Sequence, residues 1–130
     1  MTQPEHQPLA SVRSLATSLG AAVVDLGHEA FTIEFVRPPL RLKVTVAVGA
    51  LEWFHDVDDE AAGLRYHDWC DYAGYDRRPH EALAAEMAGH LRSMLPVLAS
   101  EELRIVPDTA SWFCPLDRLE WRVDGKWVEF

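Results

Sequence analysis

The sequence predicts an α+β fold in which an antiparallel sheet packs against one long helix. Apolar and polar residues alternate from residue 22 to residue 56 and again in the tail. Between these regions, from residue 79 to residue 98, apolar residues recur at helical spacing. The expected order is α-ββββ-(α)-α-βββ with about six to eight short strands in meanders and hairpins, the bracketed element being an acidic helical or irregular segment.

Length and composition indicate one domain. The 130 residues fit a single α+β domain, 1–130, of which residues 1–8 (MTQPEHQP) are expected to form a flexible terminus. A hydrophobic fraction of 48% is typical of a globular protein. No apolar run approaches the roughly 20 residues that span a bilayer, and the start lacks the features of a signal peptide. We therefore expect a cytoplasmic protein with no membrane partner.

The first predicted element is a short amphipathic helix. In the segment PLASVRSLATSLG, Pro8 suits the first turn and Gly20 suits the end of the helix. Its apolar positions fall at helical spacing. They are Leu9, Val12, Leu15, Ala16 and Leu19.

Four strands follow, AVVDL, FTIEFVR, LRLKVTVAV and LEWFHD, and they predict an antiparallel meander. A two-residue connection at Pro38-Pro39 would set Arg37 opposite Leu40 and fix every later pair. One face would then be apolar and the other would pair charges and threonines. The apolar pairs are Phe35 with Leu42, Ile33 with Val44 and Phe31 with Val46; the polar pairs are Glu34 with Lys43 and Thr32 with Thr45. Because Pro-Pro is not a favoured tight turn, a longer loop is the alternative.

The long helix is predicted from residue 79 onward, with Pro79 opening it. Its apolar stripe comprises Leu83, Met87, Leu91, Met94, Leu95 and Leu98. Pro96 removes a backbone donor, so we expect the helix to kink or end near Leu95.

The tail then reads as short strands, LRIV, SWF, LEWRV and KWVEF. Asp124-Gly125 predicts a type I′ hairpin that pairs Val123 with Lys126. In that register Arg122 can lie over Trp127 as a cation–π pair.

Negative charge is concentrated in one part of the chain. The formal net charge is −9, which argues against a nucleic-acid partner because phosphate contacts need clustered cations. Between residues 52 and 76 there are eight acids and one base, Arg65. The acids are Glu52, Asp56, Asp58, Asp59, Glu60, Asp68, Asp71 and Asp76. This excess favours a basic partner.

No pattern indicates a metal, a cofactor or a catalytic residue. On a helix His67 and Cys70, at i and i+3, could share a metal with His55 or Cys114. Structural zinc sites need two close ligand pairs, however, and only one is present. The two cysteines do not form a CxxC motif, and thiols buried as small hydrophobes are the simpler expectation.

The leading interpretation treats residues 52–76 as one acidic and aromatic binding surface. Rings supply contact energy at protein interfaces and charges supply steering. The candidate partner-binding residues are Glu52, Trp53, Asp56, Asp58, Asp59, Glu60, Tyr66, Asp68, Trp69, Asp71, Tyr72 and Tyr75. By analogy of charge and size, the protein would be a non-enzymatic inhibitor of the bacterial immunity or antitoxin type that captures a basic protein, for example a toxin.

Three alternatives remain open. The rings of residues 52–76 could only close the core against Met87 and Leu91, with the acids keeping the protein soluble. A small enzyme or ligand-binding domain would place His55, His67, Asp68 and Cys70 in a pocket between the sheet and the long helix. A homodimer would form if an edge strand near Phe130 paired with its copy.

Overall fold

The computed structural model describes residues 7–27, 29–72, 77–107 and 117–130. In these ranges the elements are α1 (Gln7–Ser18), β1 (Ala22–Asp25), β2 (Ala30–Arg37), β3 (Leu40–Ala47), β4 (Glu52–Asp59), β5 (Leu64–Asp71), α2 (His80–Ser100), β6 (Leu103–Val106), β7 (Arg118–Val123) and β8 (Lys126–Glu129). The predicted α+β class is confirmed. β1 to β5 form a five-stranded antiparallel meander, and β6 to β8 form a three-stranded antiparallel sheet.

One hydrophobic core lies between the five-stranded sheet and α2. Alternate residues of β2, β3 and β4 are buried on this side, as the period of two requires. All six predicted stripe residues of α2 are buried against them. Helix α1 adds Leu9, Val12 and Ala16, and the three-stranded sheet adds Ile105 and Leu119. We call the α2 side of the five-stranded sheet its inner face and the opposite, solvent-exposed side its outer face.

The β2–β3 hairpin has the predicted register. Pro38 and Pro39 alone connect the strands, through a cis peptide bond, and Arg37 pairs with Leu40. All five predicted cross-strand pairs are present. The longer loop considered as an alternative is wrong.

The acidic segment that was expected to be helical or irregular instead contains a regular strand, because residues 64–71 form β5. This strand pairs along its whole length with β4. A turn joins the two strands, in which Gly63 has φ of +69° and the amide of Ala62 donates to Asp59 Oδ1 at 3.0 Å. The positive φ is one that glycine adopts without steric penalty. Pairing with β4 therefore overrides the local composition of the segment.

Two helix boundaries also differ from expectation. Helix α1 begins at Gln7, so the last two residues of the predicted flexible terminus are helical. Helix α2 begins after Pro79 as predicted but continues through Pro96 to Ser100. The buried Leu95 and Leu98 lie on either side of Pro96, and their packing holds the final turns in place.

The tail hairpin is confirmed as β7 and β8. Asp124 and Gly125 have φ of +49° and +76°, as a type I′ turn requires, and Val123 pairs with Lys126. Glu120 faces Glu129 across the hairpin, a like-charge pair that is relieved by Arg104, whose guanidinium lies 2.7 Å from Glu120. The predicted strand SWF, residues 111–113, lies outside the described residues. In the part of the chain that the structure describes, neither helix is long and apolar enough to cross a membrane.

Candidate functional site

The β4–β5 hairpin divides the predicted binding surface between two faces. Directly paired residues of antiparallel strands point to the same side of a sheet. The pairs on the outer face are Glu52 with Asp71, Phe54 with Trp69, Asp56 with His67, and Asp58 with Arg65. Those on the inner face are Trp53 with Cys70, His55 with Asp68, Val57 with Tyr66, and Asp59 with Leu64. The acidic and aromatic residues are therefore not one continuous patch.

Three rings form a row on the outer face, which we call the ring row: His67, Phe54 and Trp69. The centroids of Phe54 and Trp69 are 6.4 Å apart with planes inclined by 14°, and those of Phe54 and His67 are 6.3 Å apart with planes inclined by 23°. These values fall in the range of offset stacking. The Trp69 side chain is nevertheless 53% exposed. A large apolar ring is thus held in a fixed orientation while it remains accessible.

A carboxylate holds each end of the ring row. Trp69 Nε1 donates to Glu52 Oε2 at 3.1 Å. At the other end His67 Nδ1 lies 2.7 Å from Asp56 Oδ1. These contacts fix the rotamers of both outer rings and keep negative charge at their edges.

The two ends of the outer face differ in their cross-strand neighbours. Arg65 Nε pairs with Asp58 at 2.9 Å, and Lys43 lies opposite Asp56. These residues line a shallow groove of about 460 Å³ beside the ring row. At the other end Glu52 lies between Asp71 on β5 and Ala47 on β3. Two carboxylates, Glu52 and Asp71, therefore lie on the same face as Trp69 at this end.

On the inner face, Trp53 and Tyr72 connect the hairpin to α2. Trp53 is only 3% exposed, and its Nε1 lies 3.5 Å from the Tyr72 hydroxyl. That hydroxyl lies 2.7 Å from His90 Nδ1 on α2. Burial raises the pKa of Tyr72 to about 12, so its hydroxyl stays protonated. These two candidates serve packing.

His55 is fully buried on the same face. Neither ring nitrogen has a hydrogen-bonding partner among the described residues. Its neighbours are aromatic, with the centroids of Tyr66 and Phe130 each 5.6 Å away. Burial lowers the pKa of His55 to about 4, although the nearby Asp68 and Asp56 oppose this shift. The imidazole is therefore neutral at pH 7.

The open edge of β5 is capped by carboxylates. The Arg65 amide donates to Asp117 Oδ2 at 3.1 Å, and the Trp69 amide donates to Asp68 Oδ1 at 2.8 Å. The Tyr66 hydroxyl in turn donates to Asp68 Oδ2 at 3.3 Å, and burial followed by the Asp68 charge raises the pKa of Tyr66. Capped amides disfavour the addition of another strand at this edge. A partner is therefore expected to contact side chains rather than the β5 backbone.

Only three of the four residues of the alternative pocket share a face. His55, Asp68 and Cys70 lie on the inner face, whereas His67 lies on the outer face with Asp56. The helical geometry that would let His67 and Cys70 share a metal is absent, because i and i+3 point to opposite sides of a strand. Among the described residues no group of three His, Cys, Asp or Glu is arranged to hold a metal ion. Cys114 lies outside the described residues.

Eleven of the twelve candidate residues lie in the described ranges, and they are divided between the two faces. Glu52, Asp56, Asp58, Trp69 and Asp71 lie on the outer face; Trp53, Asp59, Tyr66 and Asp68 lie on the inner face; Glu60 and Tyr72 directly follow β4 and β5; and Tyr75 lies outside the described residues. The sequence analysis missed Phe54 and His67 as members of the ring row. The signal was the alternation of Arg65, His67, Trp69 and Asp71, which indicates a strand where a helical or irregular segment was expected.

Comparisons of the chain with protein-family models, with curated proteins and with solved structures found no match. The function is therefore argued from the residues themselves.

Proposed function

We propose that the protein is a non-enzymatic binding module that captures a basic protein partner through the outer face of the β4–β5 hairpin. Its biological role would be that of an immunity protein or antitoxin, which acts in the cytoplasm by occupying a cationic surface of a toxin. The role is an analogy from charge and size, whereas the binding face is argued from the residues.

The exposed Trp69 is the observation that carries the proposal. Isolated apolar residues are common on protein surfaces, but this ring is stacked on Phe54 and held by Glu52. Tryptophan is among the residues that contribute most to binding energy at interfaces, especially where its conformation is already fixed. Preorganisation of this kind supports a binding surface rather than a solvated sheet face.

The charge of the hairpin supports a basic partner. From Glu52 to Asp71 there are seven acids and one base, Arg65. The adjoining Arg41 pairs with Glu60 at 2.9 Å, so part of this charge is compensated at the turn. The remaining excess would steer a cationic protein towards the hairpin and accelerate association.

The first test is capture of partners from a lysate of the cells that encode the protein, with wild type and with Glu52→Lys/Asp56→Lys. Any captured protein is identified by mass spectrometry and purified, and its association rate is measured at low and high salt. We expect a basic protein whose association slows by about tenfold or more in high salt. The double variant should fail to capture it.

The matched control is Glu81→Lys/Glu101→Lys, which makes the same change in net charge at exposed positions of α2 and its end. We expect this control to retain the partner. Equal loss of binding in both double variants would show that net charge alone matters and would refute a specific face. Retention of the partner by both would place the interface elsewhere.

A further inference from the structure

Among the described residues three arginines lie over aromatic rings, and two of them, Arg13 and Arg104, lie at 4.0 and 4.1 Å from the ring centroid and pair closely with a carboxylate. The guanidinium carbon of Arg104 lies 4.1 Å from the centroid of Trp127, and the same guanidinium pairs with Glu120 at 2.7 Å. This site combines the negative face of a ring with a neighbouring negative charge.

The second site has the same three parts on other elements. Arg13 lies 4.0 Å from the centroid of Phe31 and pairs with Asp25 at 2.7 Å. An arginine, a ring and a carboxylate thus form a recurrent arrangement in this fold.

Trp69 and Glu52 reproduce the ring and the carboxylate of these sites without the cation. All 12 lysines and arginines lie in the described ranges, and among the described residues no cation lies over the Trp69 ring. One face of the indole is stacked on Phe54, on the β4 side. Since β5 is the last strand of its sheet, no further strand lies beyond Trp69, and the side chain is 53% exposed.

We propose that this free face of Trp69 receives an arginine side chain of the partner, with Glu52 as its counter-charge. This inference rests on the proposed function, since it names the chemical group by which the basic partner is recognised. Arginine fits better than lysine because its planar guanidinium stacks on a ring and can bind a carboxylate with two parallel hydrogen bonds.

The capped edge of β5 favours recognition through a side chain. Asp117 and Asp68 occupy the amides of Arg65 and Trp69. A partner segment beside β5 therefore gains little from main-chain pairing. An arginine that reaches over the edge can contact the free indole face without displacing either carboxylate.

The test is an NMR titration of the whole protein with three neutral-capped tripeptides, acetyl-Gly-X-Gly-amide, where X is arginine, lysine or citrulline. Citrulline has nearly the shape of arginine but no charge. The reporter is the Nε1–H signal of Trp69, and the Nε1–H signal of Trp127 is the internal control, because that ring is already covered by Arg104. We expect the arginine peptide to shift the Trp69 signal with about threefold higher affinity than the lysine peptide. The citrulline peptide should produce no comparable shift.

Two variants test whether the arginine peptide binds at Trp69 and Glu52. Trp69→Leu should abolish the saturable shifts of neighbouring backbone amides, and Glu52→Gln should weaken binding about threefold while leaving the Trp69 ring in place. An equal response to citrulline, an equal shift at Trp127, or unchanged arginine affinity in Trp69→Leu would overturn the proposal.

The two proposals fail separately. If the purified partner is lost in Glu52→Lys/Asp56→Lys while the arginine peptide leaves Trp69 unshifted, only the arginine receptor is refuted. If the peptide binds at Trp69 but no partner depends on the hairpin, the proposed function is refuted and the small-ligand site remains.

Discussion

The two faces of the β4–β5 hairpin use the same residue types for different purposes. His55 and His67 lie on these two strands, yet His55 is buried without a hydrogen-bonding partner, whereas His67 is exposed and bound to Asp56. Trp53 and Trp69 show the same contrast, with 3% and 53% exposure. Residue type alone therefore does not show which side chains are accessible. The face of the sheet decides whether a ring packs in the core or is exposed to solvent.

The largest expected difference between the faces concerns the two tryptophans. Trp53→Ala should lower the free energy of unfolding by about 3–5 kcal/mol, because it leaves a cavity between the sheet and α2. Trp69→Ala should lower it by only about 1 kcal/mol, through loss of stacking on Phe54. Urea denaturation of both variants measures the difference. Similar losses would contradict the assignment of Trp69 to an exposed, partner-accessible face.

The second prediction concerns how the burial of His55 makes the stability of the protein depend on pH. His55 has a pKa of about 4 in the folded protein and 6.5 as its ordinary value. Between these values the unfolded chain binds a proton that the folded protein does not, so stability falls as the pH falls from about 6.5 to about 4. The loss attributable to His55 is on the order of 3 kcal/mol and is complete below pH 4, when both states are protonated.

The variant His55→Leu isolates this effect from the titration of the carboxylates. It should flatten the pH dependence of the unfolding free energy between pH 6.5 and pH 4 relative to wild type. At pH 7 it should be neutral or stabilising, because an unpartnered polar group leaves the core. If His55→Leu kept the wild-type slope between pH 6.5 and pH 4, His55 would not be the buried neutral group.

The same contrast explains what could be predicted from the sequence. The β2–β3 register was predictable because its two faces differ chemically, with Phe31 opposite Val46 on one face and Glu34 opposite Lys43 on the other. β5 departs twice from this separation into an apolar and a polar face. The charged Asp68 occupies an inner position and the apolar Trp69 an outer one. Both are tolerated because β5 is the last strand of its sheet and both side chains reach solvent.

The ring row could not be predicted, because its residues come from two different strands. Phe54 and Trp69 are 15 positions apart in the sequence and meet only because β4 and β5 pair. The concentration of negative charge, by contrast, was visible in the composition, but it did not indicate on which face of the hairpin each acid lies. Which residues become neighbours on an edge strand depends on how the strands pair. The periodicity of a single sequence predicts this pairing poorly when polar residues occupy inner positions.

The smallest expected effect concerns the edge of β5, which separates the two faces. Asp68→Ala removes the carboxylate that binds the Trp69 amide. It also removes the acceptor of the Tyr66 hydroxyl, and the loss of these two exposed hydrogen bonds should together destabilise the fold by about 1 kcal/mol or less. The freed amide should nevertheless allow edges of two copies to pair, so that the variant self-associates at concentrations where wild type does not. Light scattering coupled to size-exclusion chromatography measures this change.

Asp58→Ala is the control for that experiment, since it removes the same charge from the hairpin but leaves the amide caps intact. Its carboxylate binds the Arg65 side chain rather than a backbone amide of β5. If Asp58→Ala associates as strongly as Asp68→Ala, reduced charge repulsion is the cause, and the edge caps have no protective role. Association of Asp68→Ala alone would show that a single side chain on the inner face keeps β5 from strand addition, and that the uncapped Trp69 amide is enough to make this edge available for pairing.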